Sequence, residues 1–242
     1  MSKVVLITGA NSGVGFELAR LIAEKDHIVY VGSRNEESGK TAAGILNSEG
    51  LSTVKSVIID ITKPSTIESA KNAIEAAEGR LDVLVNNAGI AFMDKEQSAL
   101  SPDMTVVRDI MATNFFGTIE TTVAFLPLLR KSHAAGNTPV IVNVSSGFGS
   151  NTLSQEKGRA KYVGYRASKV ALNSYTISLA LELQEEGFKV NAVTPGITAT
   201  KLTHEYGQPV RDGGLAMLPW ALLDADGPTG KFFGPGGEEY PW

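Results

Sequence analysis

The stretch TGANSGVG, residues 8–15, follows the apolar run VVLI at 4–7 and leads directly into FELARLIAEK, which has the spacing of an amphipathic helix. Each of its three glycines has a physical use in a strand-to-helix turn. Gly9 permits a sharp turn, Gly13 lets phosphates approach the backbone and Gly15 lets the helix pack closely, while the helix start offers N–H donors and partial positive charge. Tight packing alone would explain one or two glycines. The first-strand position, the T-G-x-x-x-G-x-G spacing and the helix after it together point to a site for a dinucleotide pyrophosphate.

Outward from this turn, short β-branched runs recur at VVLI (4), IVYV (28), VKSVII (54), VLV (83), VIVNV (140) and KVNAV (189), with KFF (231) as a weaker seventh. Helical patterns near 13–25, 35–48, 65–78, 104–131 and 163–186 separate them, and SPD at 101 offers a Ser cap and a Pro at the first helical position. Apolar runs of this kind suit strands buried on both faces. The alternation predicts an α/β fold, a doubly wound parallel sheet with helices on both faces, formed by one domain over 1–242. After Pro195 the rhythm fails in a glycine- and proline-rich stretch, although 210–223 is able to form a short helix. Such a stretch after a regular scaffold reads as a binding loop. Residues 197–226 are expected to form a mobile lid whose Leu202, Tyr206, Leu215, Met217, Leu218 and Trp220 close over an apolar substrate, with Gly207, Gly213 and Gly214 easing the movement. The plainer alternative is that these side chains cover the core or an oligomer interface.

The composition excludes several classes of function. A net charge of -4 and a pI near 5.5 argue against a nucleic-acid or anionic-membrane surface, which needs clustered Lys and Arg. There is no cysteine, and His27, His133 and His204 are scattered, so no metal site is expected. The first apolar run is too short for a signal segment, and none approaches the roughly 18 residues of a membrane span. A soluble, cytoplasmic chain acting on a small molecule is the expectation.

Two further stretches specify chemistry. The second strand ends in Ser33 and Arg34, where an NAD site would carry a carboxylate for the ribose hydroxyl. Arg34 offers a planar fork for a 2'-phosphate, with Ser33 and Asn11 or Ser12 as neutral donors, so NADP is favoured. In YVGYRASK, 162–169, Tyr165 and Lys169 lie four residues apart and share a helical face, whereas Arg166 points elsewhere and Tyr162 reads as a packing residue or pocket wall. An ammonium ~5 Å from a phenol, at an effective dielectric of about 20, favours phenolate by roughly 3 kcal/mol, or about 2 pKa units. Tyr165 is thereby a candidate proton donor and acceptor.

These residues and TGANSGVG (8), LDVLVNNAGIAF (81), TNFFGT (113), VNVSS (142), YRASK (165) and PGITAT (195) occur in an order that resembles the short-chain dehydrogenases/reductases, in particular their NADPH-dependent carbonyl-reductase-like branch. The resemblance runs from residue 4 to about 200, with a weaker echo in GPTGKFF at 227–233. It implies a Rossmann-type fold. It also implies that Tyr165 is the general acid, Ser146 holds the substrate carbonyl, Lys169 tunes Tyr165 and binds nicotinamide ribose, and Asn114 holds a water leading from Lys169 to solvent. Ser145 or Ser146 as a strand-end cap and Asn114 as a satisfied polar residue in a helix are the plainer readings. For the cofactor, the resemblance implies Gly9, Asn11, Ser12, Gly13, Val14 and Gly15 at the phosphates, Asp60 and Ile61 at the adenine edge, and Asn87, Ala88 and Gly89 along its length. Pro195, Gly196, Ile197 and Thr200 are implied near the nicotinamide amide and the phosphates, while Asn86 ties strands together. The 147–164 segment is longer than in the shorter members and leaves monomer or homo-oligomer open.

The resulting expectation is hydride transfer from NADPH to a ketone, quinone or aldehyde, with a proton from Tyr165. Alternatives are a biosynthetic or acyl-carrier-linked ketoreductase, and a non-catalytic NADP-binding regulator. The intact set Asn114, Ser146, Tyr165 and Lys169 argues against the last.

Overall fold

All four residues of VVLI are buried because the strand they form, β1 (Val4–Ile7), has parallel neighbours on both edges, β2 (Ile28–Ser33) and β4 (Val83–Asn86). The computed structural model describes residues 2–155 and 161–242. With β3 (Val54–Ile58), β5 (Val140–Val144), β6 (Lys189–Val193) and the two-residue β7 (Phe232–Phe233), the sheet has seven parallel strands in the order β3-β2-β1-β4-β5-β6-β7. This is the doubly wound, Rossmann-type arrangement, and the order reverses between β1 and β4, where such sheets bind ligands.

Alternation along β1 divides the core into two layers. Val5 and Ile7 meet α1 (Gly13–Ala23), α2 (Glu36–Ser48) and α7 (Val210–Ala221) through Leu18, Ile22, Leu46 and Met217. On the opposite face, Val4 and Leu6 meet α3 (Pro64–Glu78), α5 (Gly117–Ala134) and α6 (Val163–Glu182) through Ile67, Phe125 and Leu179. No helix among the described residues is long and apolar enough to cross a membrane.

Three expectations need correction. The helix after SPD, α4 (Met104–Met111), starts later than the Ser101–Pro102 pattern suggests, because the Asp103 carboxylate accepts from the backbone N–H of Thr105 (2.9 Å) and Val106 (3.4 Å). The pattern at 104–131 is not one regular helix either. A π-helical turn, Ala112–Phe116, joins α4 to α5 just where Gly117 brings the backbone against the Ile61 carbonyl, 2.5 Å from where a Cβ would stand.

The third correction concerns the lid. Met217 and Ala221 are fully buried, Leu218 and Trp220 pack on the same core, and Trp220 stacks on Phe233 at 3.7 Å. Gly213 and Gly214 are contact glycines, not hinges: a Cβ would come within 2.8 Å of Thr198 Oγ1 or 3.0 Å of Glu17 and Leu21. The plainer alternative therefore holds for α7, which covers the sheet. The segment before it keeps Leu202 half-buried and Tyr206 exposed. Met217→Ala is accordingly expected to cost about 2–5 kcal/mol in denaturant unfolding, whereas Tyr206→Ala should leave the midpoint nearly unchanged. Of the 147–164 segment, residues 156–160 lie outside the described residues.

Candidate active site

The residues named from sequence gather along the C-terminal edge of the sheet. After β1 the chain turns at Gly9 (φ +63°), where a Cβ would stand 2.9 Å from Ala88 Cα, and again at Gly13 (φ +62°). A Cβ on Gly15 would collide with the Asn87 amide. Asn87 in turn donates to the carbonyls of Thr8 (2.8 Å) and Gly9 (3.1 Å), while Thr8 Oγ1 accepts from the N–H groups of Asn87 and Ala88, both at 3.0 Å. The turn is thus stitched to the end of β4, and Thr8, not singled out in the sequence, is the residue that does it.

The start of α1 is left open. Asn35 caps α2 and Asp103 caps α4 through their side chains, but Ser12 makes no capping hydrogen bond to α1 and no acidic residue stands in its first turn. Unpaired N–H groups behind a glycine cradle fit a dinucleotide phosphate. Thr200 closes the other side, with its Cγ2 only 3.4 Å from where a Cβ on Gly13 would stand. Val14 packs toward Gly213 on α7. Asn11 is half-buried, and Ser12 and Ile197 are exposed.

At the end of β2, Arg34 is exposed and has no ion-pair partner among the described residues. Ser33 departs from expectation. It is buried, and its hydroxyl donates to Asn35 O (2.8 Å) and accepts from Asn35 N (3.3 Å), so it shapes the turn and does not present a donor. The Asp60 carboxylate is occupied in the same way by Thr62 (2.7 and 3.1 Å) and Lys63 (3.3 Å). Burial pushes its carboxyl upward, but the bonds from Thr62 and Lys63 outweigh this and hold it below the usual range. Ile61 is buried beneath Gly117. Gly89 lies beside Asn114 and Lys169, 3.3 and 3.8 Å from its notional Cβ, and Pro195–Gly196 (φ +79°) makes the turn after β6.

Beyond β5 the two serines separate in role. Ser145 Oγ donates to Asn173 Oδ1 (2.6 Å), which anchors α6 to the sheet, whereas Ser146 hydrogen-bonds the Tyr165 phenol and also accepts from Phe148 N (3.3 Å). Lys169 is buried one helical turn on, its Nζ 5.7 Å from the Tyr165 ring centroid and donating to the Val144 carbonyl at 2.7 Å. Asn114 bridges Ile90 through both amide atoms (2.8 Å each) and donates to Ser168 Oγ (3.0 Å), whose hydroxyl bonds Tyr165 O (2.7 Å). Its side chain therefore braces the site. Asn86 links strands as expected, donating to Asn143 and Thr122 at 2.9 Å.

The electrostatics differ from the simple ion-pair expectation. Burial pushes the Tyr165 phenol up to about 12, opposed by the Ser146 hydrogen bond, and burial lowers Lys169 to about 8. Desolvation dominates in both groups, and the Lys169 ammonium donates to the Val144 carbonyl. At neutral pH the pair is a neutral phenol beside a lysine that is still mostly protonated, which suits proton donation.

Residues 3–210 match the family model described as short chain dehydrogenase. The chain belongs to that family. This short-chain dehydrogenase is 28% identical to the (+)-neomenthol dehydrogenase of Capsicum annuum, with 96% of this chain and 95% of that protein covered. It superposes on the NADPH-bound carbonyl reductase from chicken fatty liver with a TM-score of 0.88 at 24% identity, covering 100% of this chain and 99% of that one, a likeness of fold. The 3-ketoacyl-(acyl-carrier-protein) reductase of Brucella melitensis, complexed with NADH, gives 0.84 at 28% identity and 96% coverage of both chains. The short-chain dehydrogenase is thus an oxidoreductase with a nicotinamide-cofactor fold. Since those two structures hold different cofactors, the end of its own β2 bears on the choice.

Proposed function

We propose that this chain is an NADPH-dependent reductase that converts a ketone, quinone or aldehyde into an alcohol. The observation that carries the proposal is the hydrogen bond between Ser146 and a neutral, buried Tyr165, with Lys169 on the same helix face. NADPH, when bound, supplies the hydride. Tyr165 gives its proton to the carbonyl oxygen, Ser146 donates to that oxygen as charge develops, and Lys169 steadies the phenolate left behind. The uncapped α1 terminus, Gly9, Gly13 and Thr200 would hold the phosphates, and Arg34 would take the 2'-phosphate.

Around Tyr165, the side chains of Phe92, Met93, Phe148, Tyr162 and Leu202 form an apolar cluster, with Phe148 edge-on to both Tyr162 (6.2 Å) and Tyr165 (6.3 Å). It supports an apolar carbonyl compound as substrate, covered by the loop 197–209. The test is to mix the purified protein with NADPH and a panel of ketones, quinones, aldehydes and charged keto acids while following nicotinamide absorbance. Oxidation of NADPH by apolar carbonyl compounds is expected. Tight NADPH binding with no turnover across the panel would overturn the proposal in favour of a regulator.

The same pair sets a pH dependence. Tyr165 stays protonated until about 12, whereas the Lys169 cation is lost as pH rises through about 8. For reduction, kcat/KM for NADPH, which reports the free enzyme, should therefore fall through about pH 8. In Lys169→Met this limb should be absent, and activity low throughout.

A further inference from the structure

Helix α6 carries Tyr165 and Lys169, yet the residue at its start cannot cap it. Tyr162 sits at φ +69° and makes no side-chain capping bond. The orphan donors of a buried helix start require acceptors from elsewhere. A single residue supplies two of them: the Val163 N–H donates to the backbone carbonyl of Gln97 (3.0 Å) and the Tyr165 N–H to its Oε1 (3.2 Å). Gln97 is itself buried, at 3% exposure, and its Nε2 donates to the carbonyls of Ala91 (2.8 Å) and Phe92 (2.9 Å). The amide orientation is unambiguous, because two carbonyls need a donor and one N–H needs an acceptor.

The partners on the other side matter equally. Ala91 and Phe92 continue the Asn87–Gly89 segment, and Phe92 holds φ +47°, a conformation that ordinary side chains adopt only when their surroundings enforce it. From these contacts we infer that Gln97 is a positioning residue for Tyr165, a clamp that fixes the phenol-bearing turn of α6 against the segment lining the cofactor. This rests on the reading of Tyr165 as proton donor. Buried and bonded on its side chain to Ala91, Phe92 and Tyr165, it acts by setting where the Tyr165 turn stands. It lies 68 positions from Tyr165 in a loop without periodic pattern. Gly164, between the two capped N–H groups, admits it at close range, with Oε1 3.3 Å from where a Cβ would be.

The test uses Gln97→Met, which keeps length but deletes all three side-chain bonds, and Gln97→Glu, which as a neutral acid retains one donor and one acceptor. In protein labelled with 13C at tyrosine Cζ, the Tyr165 resonance is assigned by its absence in Tyr165→Phe. Gln97→Met should shift that resonance and lower its titration from about 12 toward the ordinary value near 10 as the turn loosens. Its kcat for carbonyl reduction should fall on the order of ten- to a hundredfold with NADPH affinity little changed. Gln97→Glu should recover activity at acid pH and lose it as the new carboxyl ionises, a second falling limb at lower pH than the one near 8 that Lys169 gives the native enzyme. If Gln97→Met folds poorly, that profile decides. An unmoved Tyr165 resonance with native kcat, or a native pH profile in Gln97→Glu, would overturn the inference. A Tyr165→Phe variant that still reduces carbonyl compounds would instead overturn the acid assignment, since the resonance shift is independent of turnover.

Discussion

Replacing Tyr165 by Phe should lower kcat for carbonyl reduction by about 10²–10⁴-fold, the usual contribution of a positioned proton donor, while NADPH binds almost as before. The reason is local. The phenol oxygen bonds Ser146 and the ring packs among Phe148, Tyr162 and Leu202, contacts that a phenylalanine ring reproduces apart from the oxygen. Tyr162→Phe should keep most activity, because that side chain meets Phe148 edge-on at 6.2 Å and serves as wall. Steady-state kinetics together with NADPH titration by fluorescence separate the two variants. Equal loss in both would mean that the aromatic cluster and not the proton governs turnover.

Replacing Arg34 by Asp should reverse the cofactor preference. An exposed guanidinium at the end of β2 is available for a charge-assisted, two-point contact with a 2'-phosphate, worth about 1.5–3 kcal/mol. Arg34→Ala should therefore reduce the NADP to NAD ratio of kcat/KM by roughly ten- to a hundredfold, and Asp should go further by repelling the phosphate and accepting from the ribose hydroxyls. Ser33 offers no substitute, since its hydroxyl is held by Asn35. An unchanged ratio in Arg34→Ala would refute the assignment.

By itself the sequence determined the local and periodic features. Buried strands declare themselves as short β-branched runs, a positive-φ turn declares itself as glycine, and side chains four apart on one helix must share a face, so the sheet, the cradle at Gly9 and Gly13 and the Tyr165–Lys169 pair were legible. Tertiary structure decided whatever depends on a partner far along the chain. Met217 and Trp220 read as part of a lid, with core as the plainer alternative, and the packing of α7 beside α1 and Phe233 places them in the core. The lowering of Lys169 came from burial, which depends on the elements packed around α6 and not on its own helix spacing. Asn114 faces Ile90 and Ser168 from a π turn, whose extra residue puts the helix faces before and after it out of phase, a local break that reading 104–131 as one helical pattern does not reveal. Gln97 is the extreme case: hydrogen bonds carry no periodicity, and a loop glutamine acquires its place only when the fold brings Ala91 and Tyr165 to either side of it.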